Sequence, residues 1–438
     1  SGLGANSSTE FVNTSVSNSG TGGLRVSDLG TDATMAFTNL DIDESAGNGI
    51  QLSDNSGTFV FYADSSLQGS GEVAFLVQGG DSDVRYSGTI DHTGADGFEM
   101  IELDSTLAGS NIVFDSEAAD ALVDTNLGIY VHGSAGNLSV VADTELSGID
   151  GVFINNSSGD YAFTNTHLTD IDGTLDPDGS SDGAIDIFEN TGTIFFGEDS
   201  SINQSLNLAA VAVGVNAAGD NSTFIFNGTI NATNGNGLQF ENADGSYTFG
   251  GTTTLNGGNA GIDILNSSDG DFTFLDTDII DPTGVALNIN DGTANVTFGA
   301  DSSITQSNNA AAVRVVDHST GTLTFMGDIT ATDGVGLRFN NADGVYNFGG
   351  NNTMNGGDAA VDIINGSDGT FTWTDLDILN PNGHALNINS GTATVTLGAD
   401  SQIEQGNAFN ALRVVDHSGG TITINGTINA TNGNGVLF

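Results

Sequence analysis

The feature that most constrains this chain is a segment that recurs three times at a fixed spacing. NATNGNGLQF begins at Asn231, TATDGVGLRF at Thr330 and NATNGNGVLF at Asn429, so both intervals are 99 residues. Tandem blocks of this kind are typical of solenoids, in which each repeat packs only against its neighbours. The repeats predict a single solenoid over 1–438, with irregular coils over 1–230, blocks over 231–329 and 330–428, and the start of a third block over 429–438.

Each block contains a shorter period of about 25 residues. Short strands recur at intervals of 24, 25, 26 and 24 residues, beginning at Leu238, Ile262, Leu287, Val313 and Leu337. Alternation predicts that each strand buries one side, and two further short strands follow between Gly, Asn and Asp turns. Three strands in about 25 residues predict an all-β fold, a right-handed, single-stranded parallel β-helix, because propeller blades need about 40–50 residues.

The same register extends in both directions to give about 17 coils of three strands, at about 4.8 Å per coil. The further first strands are expected at Val361, Leu386, Leu412 and Val436, and towards the N-terminus at Val211, Ile185, Val152, Ile129, Phe98, Phe75, Ile50 and Leu24. The chain ends at Val436-Leu437-Phe438, within a first strand. We therefore expect either end-to-end self-association or continuation into a larger chain, because a bare last coil exposes core and strand edge.

Equivalent inward positions are expected to stack into apolar ladders. The second strands contribute Phe249, Phe274, Phe298, Phe325, Phe348, Trp373, Leu397 and Ile424. The third strands contribute Leu255, Ile279, Ile304 and Ile329, then Met354, Ile378, Ile403 and Ile428 one block later. Since the aromatic residues fall at inward positions, the single Trp373 is expected to fill the core and not to form a sugar-binding platform.

The charge balance restricts the partners of the chain. There are 56 acidic residues against five basic ones, all Arg, and the net charge is −51. Such a charge excludes nucleic acid as a partner through a basic patch, and it favours calcium-rich or salty surroundings or simply keeps the chain dispersed. Cysteine is absent, which excludes disulfides and thiolate metal sites, and no apolar run reaches the length of a transmembrane span.

The strand-and-turn ladder, the Gly, Asn and Asp turns, the missing cysteine and the tandem blocks resemble the passenger domains of bacterial autotransporters and related filamentous adhesins. The resemblance implies an extracellular or cell-surface structural or adhesive fibre without catalytic activity. It would mediate surface attachment, cell–cell aggregation or an extracellular layer, with cell-surface glycans or matrix as possible partners. The alternative function is a carbohydrate-active β-helix enzyme of the pectate-lyase type, or a carbohydrate-binding module.

The sequence gives little support to the enzyme. A calcium-dependent lyase needs a basic residue beside clustered Asp, yet Arg314 and Arg413 occupy the same repeat position and have no reason to be copied if catalytic. His318 and His417 are also repeat mates, expected at surface turns and about 19 Å apart across four coils, too far to share a metal. No catalytic residue is therefore predicted.

The best candidate site is an insertion in the long coil between Val152 and Ile185. Aspartates alternate there with Gly at the bends: Asp170, Asp172, Asp176, Asp178 and Asp182. This pattern suits an oxygen-ligand calcium loop, although the terminal Glu of an EF-hand loop is missing. A solvated acidic loop is the alternative interpretation.

Overall fold

A computed structural model describes residues 7–93, 98–173, 183–215, 219–259, 261–358 and 360–438. Over these residues the chain is an all-β parallel β-solenoid without helix, of about 16 turns with about 25 residues per turn. It divides into two compact units, residues 1–229 and residues 230–438. The described segments contain no helix long and apolar enough to span a membrane. The predicted fold class is confirmed.

The first strands of successive coils pair in parallel within each unit. In residues 1–229 they are Leu24–Ser27, Ile50–Ser53, Phe75–Gln78, Ile101–Asp104, Ile129–His132, Val152–Asn155, Gly183–Phe188 and Ala209–Val213. In residues 230–438 they are Gly237–Glu241, Ile262–Leu265, Leu287–Asn290, Ala311–Val316, Gly336–Asn340, Val361–Ile364, Leu386–Gly391, Leu412–His417 and Val436–Leu437.

The second and third strands form the other parallel sheet. In residues 1–229 two strands run through both positions, Ser8–Ser17 and Thr34–Asp43. The remaining second strands there are Thr58–Phe61, Asp83–Tyr86, Asn111–Phe114, Asn137–Val140, Tyr161–Phe163, Thr193–Phe196 and Thr223–Phe226. The third strands are Ser66–Gln68, Thr89–His92, Leu122–Asp124, Thr144–Gly148, Thr166–Ile171, Ser201–Gln204 and Thr229–Ala232, the last of which contains the division between the units.

In residues 230–438 four long strands combine the second and third positions: Ser246–Asn256, Asp271–Ile280, Val345–Asn355 and Thr370–Leu379. The separate second strands are Asn295–Phe298, Thr322–Phe325, Thr394–Leu397 and Ile422–Ile424. The separate third strands are Ser303–Gln306, Asp328–Ala331, Gln402–Gln405 and Thr427–Ala430.

The register of the first strands follows the repeat in the sequence, with one exception. Leu238 aligns with Ile262, and Ile262 with Leu287, as the predicted intervals require. The expected first strand at Phe98 is wrong: Ile101 aligns with both Phe75 and Ile129. Phe98 itself is 37% exposed, whereas Ile101 is buried. Both alternating sets of residues in this segment contain apolar side chains, Phe98 and Met100 in one and Ile101 and Leu103 in the other. Only pairing with the neighbouring coils therefore decides which set points inward.

Aromatic rings stack along the inward side of the second strands. The centroids of Phe274 and Phe298 are 4.7 Å apart, and Trp373 lies 5.3 Å from Phe348 with an interplanar angle of 5°. Trp373 is fully buried. The predicted aromatic ladder and the assignment of Trp373 to the core are confirmed.

The third-strand ladder contains a two-residue slip. Ile304 aligns with Ile329, but Ile329 aligns with Asn352 and not with the expected Met354, which lies opposite Ala331. All of these side chains are buried. The amide of Asn352 donates to the carbonyls of Gly350 and Asp375 at 2.7 and 3.1 Å, so this polar side chain is partly satisfied at an inward position.

The corner after each first strand in residues 230–438 requires left-handed backbone. Residues at this corner have φ between 47° and 71°: Asn242, Asn266, Asp291, Asp317, Asn341, Asn365, Ser390 and Asp416. Asn and Asp adopt this region more readily than other non-glycine residues. The corner thus explains part of the Asn and Asp content of the chain.

Candidate functional site

The outward side of the first strands in residues 1–229 carries an unusual group of side chains. Ile129 and Val131 point inward, so Tyr130 and His132 point outward. Parallel pairing aligns outward residues into two columns, one through Leu76, Glu102, Tyr130, Phe153 and Asp186, and the other through Gln78, Asp104, His132, Asn155 and Phe188. We call the following eight residues the acidic-aromatic face: Glu102, Asp104, Tyr130, His132, Phe153, Asn155, Asp186 and Phe188.

Four rings form the aromatic part of this face. Tyr130 and His132 have centroids 5.8 Å apart and nearly parallel planes, and Tyr130 lies 5.0 Å from Phe153. Phe188 meets Phe153 edge-on at 5.2 Å. Phe153 is only 3% exposed, whereas the other three rings are partly exposed. The expectation that the aromatic residues lie inward is therefore wrong for Tyr130, Phe153 and Phe188.

The acidic part of the face contains a carboxyl group that resists ionisation. The pKa of Glu102 is raised to about 7, chiefly by burial and in addition by the neighbouring carboxylates of Glu99 and Asp104. Burial also raises the pKa of Glu99. Asp104 is fixed by Gln78, whose amide donates to its Oδ2 at 2.8 Å. The face thus holds a carboxyl group that changes charge near neutral pH beside partly exposed rings.

The corresponding face in residues 230–438 is built differently. One outward column contains Asp263, Asn288, Arg314, Arg338, Asp362, Asn387 and Arg413. Within the described residues, six of these seven side chains, all but Arg338, bond to a neighbouring coil: Asn288 donates to Asp263 at 2.8 Å, Arg314 to Asn288 at 3.0 Å and Asn387 to Asp362 at 2.9 Å. Arg413 repeats the contact with Asn387 at 2.8 Å. The two repeat-mate arginines thus belong to a regular polar ladder.

The predicted calcium loop is only partly within the described residues. Asp176, Asp178 and Asp182 lie outside them. Asp170 is exposed, and its Oδ1 accepts hydrogen bonds from the backbone N and Oγ of Ser205 at 2.8 and 2.6 Å. Asp172 is also exposed, and its backbone N donates to Gly148 at 2.7 Å. Calcium binding at this loop stays a prediction.

The repeat-mate histidines differ from the surface turns expected of them. His318 is fully buried, with Nδ1 2.9 Å from the hydroxyl of Tyr346 and Nε2 3.1 Å from the carbonyl of Ala294. Burial lowers the pKa of His318. His417 makes the same carbonyl contact with Ala393 at 3.0 Å and is half-buried. Contacts to two neighbouring coils explain why His318 is tolerated in the interior.

Two clusters of ionisable residues in residues 1–229 were not anticipated. His92 and Asp124 form a fully buried pair, with Nδ1 and Oδ1 3.0 Å apart. Asp143, Glu145 and His167 each offer a ligand atom, and these atoms lie within 4.8 Å of one another. Glu145 aligns directly with His167 across adjacent third strands. The two are 22 residues apart in the sequence, outside the 24–26-residue rhythm, so the repeat gave no signal for this contact.

The chain was compared with family models, curated proteins and solved structures, and none of them matches it.

Proposed function

We propose that this chain is a non-catalytic extracellular or cell-surface scaffold that mediates adhesion, with the acidic-aromatic face as its contact surface for saccharide chains. The observation that carries the proposal is the outward aromatic group in residues 1–229. Partly exposed rings offer flat apolar surfaces beside hydrogen-bonding groups, and such a combination is typical of binding surfaces for amphipathic ligands. A ring of a saccharide has the same character, with apolar C–H faces and polar edges.

The polar ladder in residues 230–438 supports the scaffold part of the proposal. Its outward side chains bond mainly to their own neighbours, as between Arg314 and Asn288. A surface of this kind suits a structural segment, because its side chains stabilise its own coils. The same architecture is found in the autotransporter passengers and filamentous adhesins that the sequence resembles, and we extend the proposal to their surface location.

Binding to polysaccharide tests the contact surface. Beads coated with the chain are incubated with a panel of immobilised neutral polysaccharides, and the retained fraction is measured. We expect retention on at least one member and a loss of about tenfold or more in the double variant Tyr130→Ala, Phe188→Ala, since a few aromatic residues dominate most interfaces. The matched control is Leu265→Ala, Ile364→Ala, which shortens outward apolar residues of first strands in residues 230–438.

Two results would refute the proposal. One is retention of the aromatic double variant at the level of the unaltered chain. The other is failure of antibodies raised against the chain to label intact cells of its source, because a scaffold that acts outside the cell must be accessible there.

A second candidate function, a carbohydrate-active enzyme, is favoured by the pKa of Glu102 alone. A carboxyl group with a pKa of about 7 is suited to act as a general acid near neutral pH. Reducing-end assays on polysaccharides across a pH series test this function. A rate that falls above pH 7 and disappears in Glu102→Gln would establish it, and no turnover above background would exclude it.

A further inference from the structure

We propose that Asp143, Glu145 and His167 form a binding site for a first-row divalent transition-metal ion, with zinc as the reference ion. The site lies on the outward side of the third strands in residues 1–229. It is separate from the acidic-aromatic face and does not depend on the function proposed above.

The strand geometry brings Glu145 and His167 together, and Asp143 lies just before the start of the same strand as Glu145. Asp143 and Glu145 are two residues apart and both half-buried, while Thr144 between them is buried, so the two carboxylates share the outward side. Glu145 aligns with His167 on the next coil. The backbone hydrogen bonds of two parallel strands therefore fix the spacing of Glu145 and His167, and Asp143 directly precedes the first of these strands, where its carbonyl accepts from the backbone N of Leu122 at 3.0 Å.

The spacing of His167 and Asp143 is close to that in the coordination sphere of a small ion, and the ligand atoms of all three residues lie within 4.8 Å of one another. Two ligands of a tetrahedral zinc ion, each at about 2.0–2.1 Å, lie about 3.4 Å from one another. Nε2 of His167 is 3.7 Å from Oδ1 of Asp143. The amide of Asn165 bridges the same pair, with its Oδ1 3.0 Å from Nε2 and its Nδ2 3.1 Å from Oδ1 of Asp143. A shift of a few tenths of an ångström brings His167 and Asp143 to ligand spacing, and the oxygen of Asn165 is placed to serve as a fourth ligand.

The groups behind the ligands orient them. Nδ1 of His167 lies 2.8 Å from Oγ of Ser201 on the following coil, which directs Nε2 towards Asp143. The backbone N of Asp120 donates to the second carboxylate oxygen of Asp143 at 3.1 Å, leaving Oδ1 turned to the site. Protein metal ligands are commonly held by such outer contacts, which fix ring orientation and carboxylate direction.

The charge and the donor types define the class of ion. Asp143 and Glu145 place two carboxylates side by side, and a divalent cation relieves their mutual repulsion. The imidazole nitrogen is a poor ligand for calcium and magnesium, which take oxygen, and a good one for zinc, cobalt and nickel. The site is therefore distinct in chemistry from the calcium loop predicted at Asp170 to Asp182.

Calorimetric titration of the full chain with zinc chloride tests the proposal, with calcium chloride and moderate salt present to saturate the diffuse acidic surface. We expect one saturable site per chain in the unaltered protein and no such site in His167→Ala. Ser201→Ala should weaken zinc binding about tenfold through loss of orientation. His384→Ala is the matched control, because it removes a half-buried histidine from the other unit, and it should bind zinc like the unaltered chain.

A second measurement keeps the test valid if His167→Ala is misfolded. Glu145→Gln preserves the shape of the side chain, and it should weaken zinc binding about tenfold or more while the far-ultraviolet circular dichroism spectrum stays unchanged. Equal zinc binding by the unaltered chain, Glu145→Gln and His167→Ala would overturn the proposal, as would a calcium titration that displaces zinc completely. Neither result bears on polysaccharide retention by the acidic-aromatic face.

Discussion

The two units share an inward surface and differ in their outward one. Stacked rings fill the core of both, as in the pair Phe163–Phe196 at 4.7 Å and the pair Phe274–Phe298 at 4.7 Å. On the outward side of the first strands, residues 1–229 present rings and carboxyl groups. Residues 230–438 present one column of Asp, Asn and Arg and a second column in which Asn alternates with Val316, Ile364 and Val415. Because alternation separates the two sides of a strand, the core can keep its repeat while the outer surface diverges. The difference therefore directs the search for function to residues 1–229.

The core substitutions Phe114→Ala and Phe298→Ala should have the largest effect, and a similar one in each unit. Each ring is fully buried, with Phe114 5.2 Å from Phe75 and Phe298 4.7 Å from Phe274. We expect a loss of about 3–5 kcal/mol in the free energy of unfolding for either variant. Denaturant unfolding followed by circular dichroism measures it, with the outward substitution Phe188→Ala as control. If either core variant loses less free energy of unfolding than Phe188→Ala, the two cores are not equivalent.

Glu102 and His318 should contribute to the pH dependence of stability with opposite signs. The pKa of Glu102 is raised from 4.5 to about 7, so its ionisation costs more in the folded state and stability falls as pH rises from 4.5 to 7. Since Glu102 is partly screened by solvent, the free energy of unfolding of Glu102→Gln above pH 7 should exceed that of the unaltered chain by about 1–2 kcal/mol. The pKa of His318 is lowered from 6.5, so its contribution is lost as pH falls below 6.5.

Unfolding midpoints measured between pH 4 and pH 8 check both signs. His318→Gln should flatten the decline on the acidic side and leave the neutral side unchanged. A Glu102→Gln curve parallel to that of the unaltered chain would show that this carboxyl group ionises freely.

Calcium should stabilise residues 1–229 modestly, since the predicted Asp loop lies there. A single site at ten times its Kd contributes about 1.4 kcal/mol. Melting curves with calcium and with excess chelator, at low salt, measure the difference, and Asp172→Asn should reduce it. Asp269→Asn, in the other unit, serves as the control. A melting curve of the unaltered chain that the chelator does not change would contradict the prediction of a calcium site.

The outward ladder of residues 230–438 should matter least for stability. Removal of Arg413 breaks a partly exposed contact with Asn387, and such contacts contribute at most about 1 kcal/mol. The free energy of unfolding of Arg413→Met should therefore lie within about 1 kcal/mol of that of the unaltered chain in the same denaturant assay. A larger loss would mean that the ladder holds the coils together and is not a passive surface.

The sequence predicted the coil and much of the core, but neither the proposed contact surface nor the proposed metal site. The alternation at Leu238 and Phe240 has a single apolar phase, so its inward side could be read directly. Val152, Phe153 and Ile154 are all apolar, and alternation alone could not show that Phe153 points outward. Cross-coil partners that break the 25-residue rhythm, such as Glu145 and His167, depend on turn lengths that the repeat does not encode. The sites were missed where the repeat is least regular.

The two-residue slip in the third strands has a consequence for how such a chain can change length. Ile230 lies opposite Thr253, and 99 residues later Ile329 lies opposite Asn352, so the slip recurs once per block. Gain or loss of a single coil would move the slip relative to the neighbouring coils. Side chains that do not match would then lie opposite one another. Gain or loss of a whole block would leave every strand beside a neighbour of the same kind. A whole block of four coils is therefore the change in length that keeps the register of this solenoid intact.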